Sequence, residues 1–227
     1  MDTAPQLRPT AAQTLCQTLF GKDPYDGFKT RMSKPDLQGW NGLHGRLAWL
    51  VRQFKPKVIV DVGVWKGQST ISFAKAQREV CEDGMVVAVD TFLGSPEHWN
   101  PERKDVFSSL RFMNGRPMVY KTFIANVQLT GFADQIVPLA QTSENAALIL
   151  ARLGVVPDLV HIDAAHEYGP ALRDIETYWK LLRPGGILAG DDFVWPGVAR
   201  AVVHFSDTVK RPFNVDSPKW WIEKPAR

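Results

Sequence analysis

Three aspartates close two apolar runs and could act together. Asp163 ends Asp158-Leu159-Val160-His161-Ile162-Asp163, while Asp191 and Asp192 end Gly186-Ile187-Leu188-Ala189-Gly190-Asp191-Asp192. If the two runs are neighbouring strands of a parallel sheet, the three carboxylates share one rim. Carboxylates held together raise one another's pKa. A hard divalent cation with oxygen ligands, most simply magnesium, would relieve the repulsion. The plainer alternative has Asp163 flanking a bound cofactor and Asp191-Asp192 capping the segment that follows.

A second constellation lies upstream. Asp61-Val62-Gly63-Val64-Trp65-Lys66-Gly67-Gln68-Ser69 follows a β-branched run and precedes a helical pattern. Glycines there allow a tight turn and close approach to a ligand, and the helix start offers free backbone N–H groups. Open α/β sheets bind ligands at the carboxyl ends of their strands. Asp90 ends the next strand, where a carboxylate can accept from both hydroxyls of a ribose. A dinucleotide site needs G-x-G-x-x-G. Here bulky Trp65 stands between Gly63 and Gly67, a spacing that suits a ligand without a pyrophosphate. A turn that holds no ligand is the alternative.

The elements that must position these residues alternate. Strands are expected at 57–61, 85–90, 135–139, 158–163 and 186–191, the third weakened by Pro138. Helices are expected at 68–80, 171–182 and 197–209, with one or two more between 91 and 130. Two further strands are expected between Phe213 and Glu223. Strand–helix alternation implies an α/β, doubly wound, mostly parallel seven-stranded sheet. The first 54 residues read as a helical cap, with Leu43, Leu47, Leu50, Val51 and Phe54 forming an apolar stripe. Residues 55–227 then form the main unit of a single structural domain. His161 lies within its strand and reads as a core residue.

The loop Asp61–Ser69 together with Asp90 resembles the first motifs of class I S-adenosylmethionine-dependent methyltransferases. The resemblance implies that Asp61, Gly63, Gly67 and Ser69 line the methionine part of that cofactor and that Asp90 holds its ribose. That family often has another glycine in the loop where this chain has Val64-Trp65. Gln141-Thr142-Ser143 resembles by position the adenine-flanking segment, although Ser143 also reads as a helix cap before Glu144. The segments Asp163-Ala164-Ala165-His166-Glu167-Tyr168 and Gly185–Phe193 resemble the metal-dependent O-methyltransferases. The nearer likeness is to the macrocin (sugar) type, the more distant one to the catechol type, which commonly has Asn where this chain has Asp192. The similarity runs from about Val58 to Val203. It implies a divalent metal, magnesium in the simplest case, on Asp163, Asp191 and Asp192, with His166 taking the proton from an acceptor hydroxyl. The acceptor would be a small molecule or a sugar. His98 and Trp99 could line its pocket or lie on an exposed loop.

Composition narrows the alternatives. The chain has 227 residues, 44% hydrophobic and 22% charged, with a formal net charge of +3. That excess forms no basic stripe, so nucleic acid is not expected as a partner. No apolar run approaches the roughly 20 residues that span a bilayer. Met1–Thr14 has no basic region followed by an apolar stretch, so the expectation is a cytoplasmic protein. Cys16 and Cys81 fall in helical stretches and read as free buried thiols. The N-terminal helices could serve a homo-oligomer contact. Two other functions remain open: an NAD-dependent oxidoreductase, opposed by the missing third glycine, and a cofactor-binding protein without catalysis, opposed by the presence of Asp163, His166, Asp191 and Asp192.

Overall fold

The structure is a computed structural model that describes residues 8–226. The start of the Met1–Thr14 segment, and with it the first residues of the expected cap, lies outside the described residues. Seven strands form one sheet: β1 (Val58–Val62), β2 (Met85–Asp90), β3 (Ile136–Ala140), β4 (Leu159–Ile162), β5 (Ile187–Gly190), β6 (Phe213–Asp216) and β7 (Lys219–Glu223). Their spatial order is β3-β2-β1-β4-β5-β7-β6. The first five run parallel; β7 pairs antiparallel with β5 and with β6. Pro138 is accommodated because β3 is an edge strand, where a missing N–H costs no ladder bond on the outer side.

The described residues form eight α-helices: α1 (Ala11–Phe20), α2 (Gly45–Phe54), α3 (Gln68–Val80), α4 (Lys104–Phe107), α5 (Val119–Thr130), α6 (Ser143–Arg152), α7 (Tyr168–Leu181) and α8 (Pro196–Val209). Strand residues alternate between two apolar layers, as a period of two requires. Val60, Val87, Val160 and Leu188 face α1, α6, α7 and α8. Ile59, Val86, Leu159 and Ile187 face α2, α3 and α5. The first 54 residues therefore divide between both faces. Leu15 and Cys16 of α1 join one layer, while Leu47, Leu50 and Val51 of α2 join the other.

The described N-terminal stretch is less helical than its apolar pattern suggests. Residues 21–44 are irregular, and Leu43 precedes α2 and is 74% exposed. Helix α7 starts at Tyr168, three residues before its expected start, because Pro170 sits in the first turn, where no N–H is needed. Both cysteines are free. Cys16 is buried, and burial pushes its thiol up to about 12. Cys81 is only half-buried and follows α3 in extended conformation. Among the described residues no helix is long and apolar enough to cross a membrane.

Candidate active site

The loop after β1 is held by contacts that only its own residue types permit. Gly63 has φ +85°, and a Cβ there would fall 1.8 Å from the carbonyl oxygen of Asp163. Its N–H donates to Val89 O at 2.8 Å, which ties β1 to β2. Gly67, at φ +90°, caps α3, and its bare Cα lies against the Phe123 ring. Trp65 takes φ +50° without being glycine, a conformation that needs outside support. That support is visible. Its backbone N–H donates to Asp90 Oδ2 at 2.8 Å and its indole Nε1 to Gln38 Oε1 at 3.0 Å. Its ring stacks on His98 with centroids 4.3 Å apart. Asp90 Oδ1 accepts from Phe92 N–H at 2.7 Å, and burial raises its pKa despite these donors.

Three further ties fix the irregular N-terminal segment over this loop. The buried ammonium of Lys66 pairs with Asp36 at 3.0 Å. Asn126 donates to both Asp36 O and Lys66 O. Gly42 passes so close to the start of α3 that a Cβ would meet Ser69 N at 2.7 Å. Trp40 and Gln38 are thereby brought to the site.

The loop, Asp90 and the ends of β4 and β5 enclose a cavity of about 830 Å³, within the usual size of a small-molecule site. Gly63, Ser69, Asp90 and Ser143 line it, as do Asp163, His166, Asp191 and Asp192. Asp61 and Gly67 are not part of that wall. Asp61 is fully buried beneath the loop, where its carboxylate accepts from Ser69 Oγ at 2.8 Å and Thr70 Oγ1 at 2.6 Å. The cap of α6 is Thr142, whose hydroxyl accepts from Asn145 N. Ser143 is the first helical residue instead, and its hydroxyl donates to Asp174.

Pairing of β4 with β5, Ile162 opposite Gly190, brings Asp163 beside Asp191 as the sequence implies. Their charges are balanced from an unexpected direction. Lys219, at the start of β7, is 1% exposed and places Nζ 2.6 Å from Asp191 Oδ2. The other oxygen of Asp191 accepts from Asp192 N–H at 2.7 Å. The same ammonium lies 3.5 Å from His161 Nε2, and His161 Nδ1 lies 2.8 Å from Asp61 Oδ1. A buried polar chain thus runs from Asp191 through Lys219 and His161 to Asp61. Asp192, at φ +63°, turns away toward His166 Nε2 at 2.9 Å. His166 Nδ1 lies 3.3 Å from Glu97 Oε1, and its ring stacks on Trp195 at 4.9 Å. The hydrogen bond that His166 donates to Asp192 is the main cause of its raised pKa. Among the described residues the Asp163 carboxylate has no hydrogen-bond partner, and burial together with Asp191 raises its pKa well above the ordinary value.

This donor set does not fit the divalent cation expected on Asp163, Asp191 and Asp192. Asp191 has given one oxygen to an ammonium and the other to a backbone N–H, and Asp192 is committed to His166. Among the described residues no three His, Cys, Asp or Glu side chains are arranged to hold a metal.

Residues 60–193, more than half of the chain, match a family model described as a methyltransferase domain. The chain belongs to the methyltransferase-domain family. Solved structures share the fold at low identity. An O-methyltransferase from Bacillus cereus in complex with SAH aligns with a TM-score of 0.57 at 17% identity over 84% of each chain. The calicheamicin methyltransferase CalS11 aligns at 0.55 and 20% identity, over 78% of this chain and 77% of its own. The O-methyltransferase TomG from Streptomyces achromogenes, in complex with SAM, aligns at 0.57 and 15% identity, over 97% and 92%. No curated protein sequence matches the chain.

In this methyltransferase several residues of the site carry no local sequence signal. Lys219 lies in an apolar strand far from the aspartates, and Gln38 and Trp40 lie in a stretch that reads as part of a helical cap. Glu97 was within reach, being next to His98 on the loop after Asp90. His98 does line the cavity; Trp99 instead packs on Phe112 and is 45% exposed.

Proposed function

We propose that this chain is an S-adenosylmethionine-dependent O-methyltransferase acting on a hydroxyl of a small molecule or sugar. The observation that carries this reading is that one cavity is lined both by the Gly63 loop with Asp90 and Ser143 and by His166 with its two carboxylate neighbours. The first group would bind the nucleoside, and His166 would accept the proton. The fold's occurrence in proteins solved with SAM and SAH supports the choice of cofactor.

When bound, S-adenosylmethionine supplies a methyl group made electrophilic by its sulfonium. Asp90 is placed to accept from ribose hydroxyls, and the bare Cα of Gly63 lets the backbone lie close to the ligand. Asp192 fixes the His166 ring through Nε2, so Nδ1 is the nitrogen that meets the acceptor hydroxyl. Glu97, 44% exposed, lies 3.3 Å from that nitrogen, at the open end of the pair. Exposed Trp40 and Trp195 offer flat faces to a sugar or aromatic acceptor. No step is assigned to a divalent cation.

Calorimetry with S-adenosylmethionine, its demethylated product and NAD tests the reading. The first two should bind, NAD weakly or not at all. Asp90→Ala should weaken binding by roughly 1.5–3 kcal/mol, the scale of hydrogen bonds to a charged group. Tight NAD binding with no response to the other two would overturn the cofactor assignment.

A further inference from the structure

We propose that Lys219 is the built-in cation of this site: its ammonium holds the charge-balancing place that a divalent cation would take among Asp163, Asp191 and Asp192. The metal-binding step is thereby replaced by a residue of the chain. The inference rests on reading the acidic rim as the acceptor side of the methyl-transfer site.

Three observations carry it. First, Lys219 and Asp191 are each 1% exposed and 2.6 Å apart, so each supplies the buried counter-charge the other requires. Second, the position is set by the sheet. Gly190 pairs with Trp220, which leaves Lys219 facing Asp191 across the β5–β7 ladder. Ala189, between His161 and Trp221 in register, is small, and Lys219 Nζ comes within 3.5 Å of His161. Third, the remaining oxygens are dispersed. Asp192 is turned to His166, so Asp163 is the one rim carboxylate left without a partner among the described residues. A hard cation needs several oxygens converging on one point, and here it would also sit beside an ammonium on the same carboxylate.

The consequence for substrate class is direct. An acceptor that chelates a metal needs two neighbouring oxygens. An acceptor deprotonated by His166 alone needs only one hydroxyl.

Titration of chelator-treated, desalted protein with Mn²⁺, read by loss of the free-ion electron paramagnetic resonance signal, tests the proposal without cofactor or acceptor. Its failure is therefore separable from failure of the methyl-transfer reading. The wild-type protein should show no saturable binding in the millimolar range. Lys219→Met, checked for folding by circular dichroism, should gain a saturable site, and Asp163→Asn added to it should abolish that site. A structural lysine would give no such gain. If Lys219→Met does not fold, Lys219→Gln takes its place, and if neither folds the wild-type titration decides alone. Wild-type binding of about one equivalent that Asp191→Asn abolishes would overturn the proposal, as would a folded Lys219 variant that binds no Mn²⁺.

Discussion

Replacing Gly63 with alanine tests how tightly the cofactor loop is locked to the acceptor side. The added Cβ would sit 1.8 Å from Asp163 O, where real contacts essentially never fall below 3.0 Å, so the two backbones must part by more than an ångström. One hydrogen bond lies on that seam, Asp163 N–H to Val62 O at 2.8 Å. Weakening it costs on the order of 1 kcal/mol. Holding alanine at positive φ costs a further 1–2 kcal/mol or so. The expected loss is about 2–3 kcal/mol, a fall in Tm of roughly 4–12 °C for a protein of this size. Because Gly63 and Asp163 both line the cavity, affinity for the demethylated cofactor should fall as well. Thermal unfolding followed by circular dichroism and calorimetry with that ligand measure both effects. An unchanged Tm together with unchanged affinity would refute the argument that this glycine is required by close packing.

Other outcomes follow from the same geometry. His166→Ala should lower kcat by roughly 10²–10⁴ with cofactor affinity nearly unchanged; an undiminished rate would remove His166 from proton transfer. Since the basic form of His166 is the deprotonated one and its pKa is raised above 6.5, kcat should rise with pH through that raised value. Asp192→Asn should move this rise to lower pH, and a pH profile that stays in place would argue against the pairing. Asp174, 6% exposed, has its pKa raised from 3.8 to about 6 by burial. The folded state holds that proton more tightly than the unfolded one. The stability it contributes is therefore full below about pH 4 and is lost as pH rises through about 6. Asp174→Asn should thus stabilise the protein at pH 8 by up to the order of 3 kcal/mol and change little at pH 4, as denaturant melts at the two pH values would reveal.

Much of this protein is written in short windows of its sequence. The β-branched runs before Asp61, Asp90 and Asp163 can only be buried strands, and the Gly63 loop can only be a tight strand–helix turn, because local sterics and burial decide both. The ends of those strands place Asp90, Asp163 and Asp191 at one rim once the strands pair in parallel. Other features depend on distant partners. Residues 21–44 follow contacts with Lys66, Asn126 and the start of α3 and no helical period of their own. Thr142, one residue before the expected Ser143, caps α6 because Asp174 of α7 takes the Ser143 hydroxyl. Above all, the charge of Lys219 reaches Asp191 only through the antiparallel register of β7 on β5. The three carboxylates were legible, and so was their need for a cation. Which cation meets that need is decided by burial and by pairing between segments 28 residues apart, a long-range energy that no local pattern of residues contains.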